Sequence, residues 1–179
     1  MSTRNPWKKL ASRQVYSNPW MTVREDSVIR PDGQEGIYGV VETKLATGVV
    51  ALDDDDRIYL VGQYRYTVDK YSWEIIEGAA RDGESPLEAA KRELKEEAGI
   101  SAADWKLLCP EFHTSNCFTD ERAVIFLARN ITEGQANPDP TEVLQIKKTT
   151  LDDCLNMIRN GEITDAMSII ALYAIKLGI

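Results

Sequence analysis

The sequence predicts an α/β domain preceded by a strand-rich arm, and three observations carry that reading. Short β-type runs recur between Val15 and Ile146, a sharply bounded amphipathic helix interrupts them after Ser85, and two helical stretches close the chain. The chain of 179 residues is long enough for one well-buried domain and too short for two comfortable ones.

Residues 1–43 make up the arm. Val15-Tyr16 and Trp20–Val23 flank the turn signal Asn18-Pro19, and Ser27–Arg30 and Ile37–Glu42 flank Pro31-Asp32-Gly33, a hairpin cue. The arm has few apolar residues of its own, so it must cover the main domain or exchange with a second subunit.

Residues 44–179 form the main domain. Gly48–Leu52 and Arg57–Tyr64 read as strands around Asp53-Asp54-Asp55-Asp56. Four aspartates in a row suggest a metal site, but a solvated hairpin turn is the better reading, since aspartate favours turns. Trp105–Cys109 and Ala123–Ala128 are strands separated by the loop Phe112–Glu121. A proline-rich loop, Gly134–Pro140, leads to a strand at Val143–Ile146. The first closing helix, Leu151–Ile158, is capped by Thr149 or Thr150, and the second runs from Thr164 or Asp165 to Leu177.

The central helix has its ends written in. Ser85 and Glu88 form a capping box, Pro86 occupies the first helical position and Gly99 supplies the stop. Leu87, Ala90, Leu94 and Ala98 recur at steps of three and four and make one face apolar. Glu93, Glu96 and Glu97 converge on a neighbouring face, where like charges repel. A helix that keeps three such carboxylates together is built for cations, and hard, oxygen-seeking ions such as Mg2+ or Mn2+ suit them.

The formal net charge of −8 argues against nonspecific binding to nucleic acid or to an anionic membrane. An enzyme so charged that works on a polyanion must reverse its local potential with bound cations and a few arginines. Cys109, Cys117 and Cys154 are scattered, which suggests free thiols in a reducing compartment. The opening residues lack the apolar core of a signal peptide and no run approaches membrane-spanning length, so the expectation is a cytoplasmic protein.

The stretch Gly78–Ile100 resembles the signature G-x5-E-x7-R-E-U-x-E-E-x-G-U of the Nudix hydrolases, where U is a bulky aliphatic residue. Gly78, Glu84, Arg92, Glu93, Leu94, Glu96, Glu97, Gly99 and Ile100 fill every defined position. The resemblance implies an α/β/α sandwich with a mixed sheet and the hydrolysis of a nucleoside diphosphate linked to another moiety. The segment Gln63–Gly78 is similar to the one that precedes the box in hydrolases of ADP-ribose and nucleotide sugars, although Ile76-Glu77 stands where those enzymes carry proline-alanine. Ser115-Asn116-Cys117 likewise replaces a Ser-Pro-Gly-type turn, which leaves room for other nucleotide sugars such as GDP-mannose.

The resemblance implies site residues as well. Glu93, Glu97 and Glu96 would hold metal, with help from Glu84 and from the backbone carbonyl near Glu77. Arg92 would orient these carboxylates, and Glu142 or a box glutamate such as Glu97 would act as base. Arg65 would contact phosphate or the terminal sugar. Trp73 is a base-stacking candidate for which strand packing is the better reading, and Glu121 is a candidate acid near substrate or metal. His113, the sole histidine, reads as a loop residue rather than a catalyst. Such N-terminal strands commonly build a dimer that completes the substrate pocket in this subgroup, so the resemblance implies a homodimer here. The expected reaction is Mg2+-dependent cleavage of a nucleoside diphosphate sugar into NMP and a sugar 1-phosphate. The rivals are a dinucleoside polyphosphate or RNA-cap pyrophosphohydrolase, and a non-catalytic domain that binds nucleotide sugars.

Overall fold

A computed structural model describes residues 4–179. The chain divides into two compact units. One comprises Met1–Lys44 with Ser115–Glu121, the other Leu45–Thr114 with Arg122–Ile179.

The first unit is an antiparallel meander of β1 (Lys8–Ser17), β2 (Met21–Ile29) and β3 (Glu35–Thr43). The separate runs expected at Trp20–Val23 and Ser27–Arg30 are one strand, because β2 pairs with β3 without a break from Met21 to Ile29. Asn18 makes the turn before β2, its Oδ1 accepting from the amides of Trp20 and Met21. Gly33, at φ +82°, closes the second hairpin, a conformation that glycine adopts without steric cost. The segment 115–121 joins this unit by backbone bonds between Val41 and residues 118 and 120 and by the Tyr38 hydroxyl, which donates to the Cys117 carbonyl at 2.6 Å.

The second unit is a mixed α/β sandwich. Its larger sheet runs β7 (Ile76–Ala79), β4 (Ala46–Ala51), β9 (Arg122–Glu133), β8 (Ile100–His113), with β4 and β9 parallel and the other pairs antiparallel. A smaller antiparallel sheet runs β10 (Gln145–Thr149), β5 (Ile58–Arg65), β6 (Lys70–Glu74).

Strand alternation sorts the core into two layers. Val50, Leu52, Ile58, Leu60, Ile75 and Ile125 pack with Cys154 and Met157 of α2 (Leu151–Arg159) and with Met167, Ala171 and Leu172 of α3 (Ala166–Leu177). Their neighbours Val49, Ala51, Tyr59, Val61, Ile76, Val124 and Phe126 pack with Ala90, Leu94 and Ala98 of α1 (Pro86–Ala98). Helices thus cover both faces, and the expected α/β/α sandwich with a mixed sheet is the observed architecture.

β8 is longer than the expected Trp105–Cys109, because pairing with β9 carries it through register shifts to His113. The four aspartates form a turn: Asp53 Oδ1 accepts from the amides of Asp55 and Arg57, and Asp56 adopts φ 56°. Among the described residues, no helix is long and apolar enough to cross a membrane.

Candidate active site

The site is built on α1. Ser85 Oγ accepts from the Glu88 amide at 3.3 Å, and the Glu88 carboxylate accepts from the Ser85 amide at 2.9 Å, so the capping box forms as expected. Gly99, at φ 68°, ends the helix. Its own lack of a side chain also admits the segment after β9, since a Cβ there would stand 2.5 Å from the Ala136 nitrogen. Backbone bonds from the Gly134 amide to Gly99 and from the Asn137 amide to Glu96 tie that segment to the end of α1.

β7 crosses the polar side of α1 at a separation that only glycine permits. A Cβ on Gly78 would lie 2.0 Å from Cδ and 2.1 Å from Oε1 of Glu93. The glycine therefore makes room for a carboxylate.

Arg92 gathers the acids. Its Nε and Nη2 donate to the two oxygens of Glu84, both at 2.9 Å, and Nη1 donates to Glu93 at 2.5 Å and Glu96 at 3.0 Å. Nη2 also donates to the Ala79 carbonyl at 3.0 Å, which fixes the guanidinium to β7. Its own ionisation is pushed further up, chiefly by the bond to Glu84. Glu84 in turn is pulled down to about 2, first by that bond, and also accepts from the Arg81 amide at 2.9 Å. Glu84 thus has both oxygens engaged in supporting Arg92.

Glu97 sits on the buried side of the cluster, with 4% of its surface exposed. Its Oε2 accepts from the Glu77 amide at 3.4 Å. Burial, then the charges of Glu142 and Glu93, push its carboxyl up to about 8. Glu93 is raised by burial as well, partly offset by its bond to Arg92. Glu142 reaches this group from the loop before β10, where its amide donates to the Asp139 carbonyl at 2.8 Å. The fold therefore brings Glu142, far along the chain, near enough to Glu93 and Glu97 of α1 for its charge to act on both.

Glu77 turns its side chain away from Glu97. Its Oε1 accepts from Ser168 Oγ at 2.9 Å, while that oxygen accepts from the Ile75 amide at 3.0 Å. Burial and the neighbouring Asp165 hold its carboxyl well above the ordinary range. Arg65 is locked to Glu74, whose oxygens accept from its Nε at 2.9 and 3.0 Å and from its Nη2. Trp73 lies in β6, packs against the α2–α3 side of the core and carries the Lys147 ammonium 4.0 Å from a ring centroid. Glu121 belongs to the first unit, its amide donating to Thr119 Oγ1 at 3.1 Å.

Four further residues shape this region without having been singled out in the sequence: Ser72, Glu74, Asp165 and Ser168. Asp165 is recognisable only as a helix cap, which it is, accepting from the Ser168 amide at 2.7 Å. Glu74 follows Trp73 in a segment whose arginine drew the attention. Nothing in the local sequence marks Ser72 or Ser168.

Among the described residues no three acidic, histidine or cysteine side chains already stand as a ligand cage. Arg92 stands instead as the internal counter-ion of Glu84, Glu93 and Glu96. The donor set still fits a hard divalent cation. It is all oxygen, and two of its carboxyls are raised by burial and mutual repulsion that a cation would relieve.

Comparison with known proteins agrees with this geometry. The NUDIX domain family model matches residues 42–167, and the model of the nucleoside diphosphate sugar hydrolase N-terminal domain matches residues 7–41. A methanol dehydrogenase activator from Bacillus methanolicus is 31% identical over 172 residues, covering 95% of this chain and 92% of that protein. An ADP-ribose pyrophosphatase from Bacillus subtilis is 30% identical with the same coverage. The crystal structure of an ADP compounds hydrolase shares the fold at 22% identity, with a TM-score of 0.86 over 98% of this chain and 95% of the other. A capped helix with its carboxylates gathered by one arginine, in a sandwich that follows a strand-rich arm in the chain, thus has a family: the chain is a Nudix hydrolase of the ADP-ribose pyrophosphatase and nucleoside diphosphate sugar hydrolase subgroup.

Proposed function

We propose that the protein is a Mg2+-dependent hydrolase of nucleoside diphosphate sugars, with ADP-ribose the first candidate and GDP-mannose the next. The observation that supports this most is the buried Glu97 on the same helix as the half-buried Glu93, with Glu142 near enough for its charge to raise both. Glu97, pushed up to about 8, reaches full charge at neutral pH only with a cation beside it, and a pyrophosphate substrate needs that cation as well.

Glu93, Glu97 and Glu96 would hold Mg2+ or Mn2+, together with the backbone near Glu77 in β7. The ion, when bound, neutralises pyrophosphate charge and acidifies a bound water. Arg92 keeps Glu93 and Glu96 aimed, and Glu84 keeps Arg92 in place. Glu142 accepts the proton of the attacking water, since it stands on a loop outside the helix and only one of its carboxylate oxygens is engaged, by the Asp139 amide at 3.2 Å. Arg65 has Nε and Nη2 committed to Glu74, which leaves Nη1 for a phosphate oxygen. Water attacks phosphorus, the bridging P–O bond breaks, and NMP and a sugar phosphate leave.

The arm supports a homodimer. Trp7, Leu10, Val15, Tyr16, Trp20 and Ile37 all have exposed side chains, which is unusual for so short a meander. Light scattering on the purified protein checks the mass.

Substrate choice is tested with ADP-ribose, GDP-mannose, ADP-glucose, dinucleoside polyphosphates and NADH in Mg2+, reading phosphate released after phosphatase treatment. Turnover of the nucleotide sugars supports the proposal. Activity confined to dinucleoside polyphosphates overturns it, and no activity on any of them points to a binding domain.

A further inference from the structure

The loop that carries Glu142 covers residues 134–144, from the end of β9 to the start of β10. Those strands belong to different sheets, so among the described residues no ladder joins the two ends of the loop. Its first half is tied to α1 through the amides of Gly134 and Asn137. Its second half bonds to itself. Asp139 Oδ1 accepts from the Thr141 amide at 2.9 Å and from the Thr141 hydroxyl at 2.7 Å, while the Asp139 amide donates to Glu142 at 3.2 Å. Val143, the next residue, is 85% exposed and gives that half no apolar anchor. Where Glu142 stands therefore depends on where β10 begins.

Side chains close the gap between the sheets. Lys148 of β10 donates to Oε1 of Glu133, the last residue of β9 and fifteen positions away in the chain. Tyr59 of β5, the register partner of Lys148, donates its hydroxyl to the same oxygen at 2.6 Å. The Lys148 ammonium also lies 4.6 Å from the centroid of the Tyr59 ring and 3.9 Å from Asp53. Tyr59 is only 3% exposed, so close packing holds the base of this cluster still. The Lys148 and Glu133 side chains are 39% and 59% exposed, and an ion pair so exposed adds little to global stability. Its consequence lies in placement: two donors from the smaller sheet meet on one oxygen of the larger, at the neck of the loop.

We propose that Lys148, Glu133 and Tyr59 form a clamp that positions Glu142 for proton transfer by closing the neck of its loop. The inference rests on the proposed role of Glu142 as base. A base works only within hydrogen-bond reach of the water it deprotonates, and a loop fastened at one end alone does not keep that distance. All three are positioning residues, acting on the reaction through Glu142.

The test measures kcat and KM in Mg2+ for whichever nucleotide of the proposed panel turns over fastest. The proteins are the wild type, Lys148→Met and Lys148→Arg, each alone and combined with Glu142→Gln. A displaced base loses proton transfer but not ground-state binding, so Lys148→Met should lower kcat about ten- to hundredfold and leave KM within about twofold. Lys148→Arg keeps a charged donor for Glu133 and should restore most of the loss. In the Glu142→Gln background Lys148→Met should change kcat by less than about twofold, because the clamp then has no base to position. An equal loss in both backgrounds, or no loss in either, overturns the clamp. Should Lys148→Met fail to fold, Tyr59→Phe removes one hydroxyl and carries the same comparison. Normal kcat in Glu142→Gln also overturns the clamp, since the base is then elsewhere, while the hydrolysis stands. Should the wild type turn over no nucleotide, the proposed reaction falls and hydrogen exchange decides the clamp. Faster exchange of the Asn137 and Glu142 amides in Lys148→Met, reversed in Lys148→Arg and absent from α1, then upholds it as the fastening of the loop. Exchange equal to the wild type refutes it.

Discussion

The most searching prediction concerns the charge on Glu97. Burial raises its carboxyl from the ordinary 4.5 to about 8, so the folded, metal-free protein favours the protonated acid. Linkage fixes the sign. The stabilising contribution of this proton is complete below pH 4.5, where the unfolded chain is protonated too. It declines as pH rises from there and is gone above about 8, where the folded protein must hold a buried anion. At about 1.4 kcal/mol per pH unit, the interval between the two values amounts to roughly 5 kcal/mol. For a chain of this size each kcal/mol moves Tm by about 2–4 °C, so the full effect is on the order of 10–20 °C. The assay is thermal melting between pH 5 and 8 in EDTA, for the wild type and Glu97→Gln. Glutamine cannot ionise, so the variant should match the wild type near pH 5 and melt progressively higher than it towards pH 8. Glu93 and Glu77 are raised in the same direction and steepen both curves, which is why the difference between the proteins is the quantity to read. Excess Mg2+ should restore the wild type at pH 8 and do less for the variant, since the ion binds the deprotonated acid. Parallel curves for the two proteins in EDTA would refute the reasoning.

Gly78→Ala should displace Glu93 from its bond to Arg92, costing about 1–3 kcal/mol of stability. Its Mg2+ titration should weaken markedly, and an unaltered titration would show that Glu93 does not need this crossing. Arg92→Lys replaces a fork that reaches three carboxylates with a single ammonium; about 2 kcal/mol of stability and at least about tenfold in turnover should go, read by melting and steady-state kinetics. Glu142→Gln should lower kcat by about 10²–10⁴-fold with Tm nearly unchanged, because the side chain sits on an exposed loop. A variant with normal kcat would move the base elsewhere.

What could be read in the sequence has a local cause. The capping box at Ser85 and Glu88, the stop at Gly99, the caps of the last two helices and the aspartate turn all depend on residues within a few positions of one another. The apolar steps Ala90, Leu94 and Ala98 likewise set which face of α1 is buried. The cluster of Glu93, Glu96 and Glu97 follows from helical spacing alone, and so does its need for a counter-charge.

Tertiary structure decided what those carboxylates are like. Glu93 and Glu96 sit one turn apart yet differ in burial, because β7 passes over one of them at a distance that only Gly78 allows. Glu84 and Glu97 bracket the same helix, but one is drawn down to about 2 by Arg92 and the other pushed up to about 8 by burial. Strand pairing likewise fused the expected runs of β2 and lengthened β8, since ladder partners lie far along the chain. Ser72, Glu74, Asp165 and Ser168 meet only after β6 and α3 have packed. The sequence alone determined the family, the helix and the convergence of its acids. Which acids are buried, which are paired and what surrounds Arg65 came from packing, because burial and the approach of distant charges are not properties of any short stretch of chain.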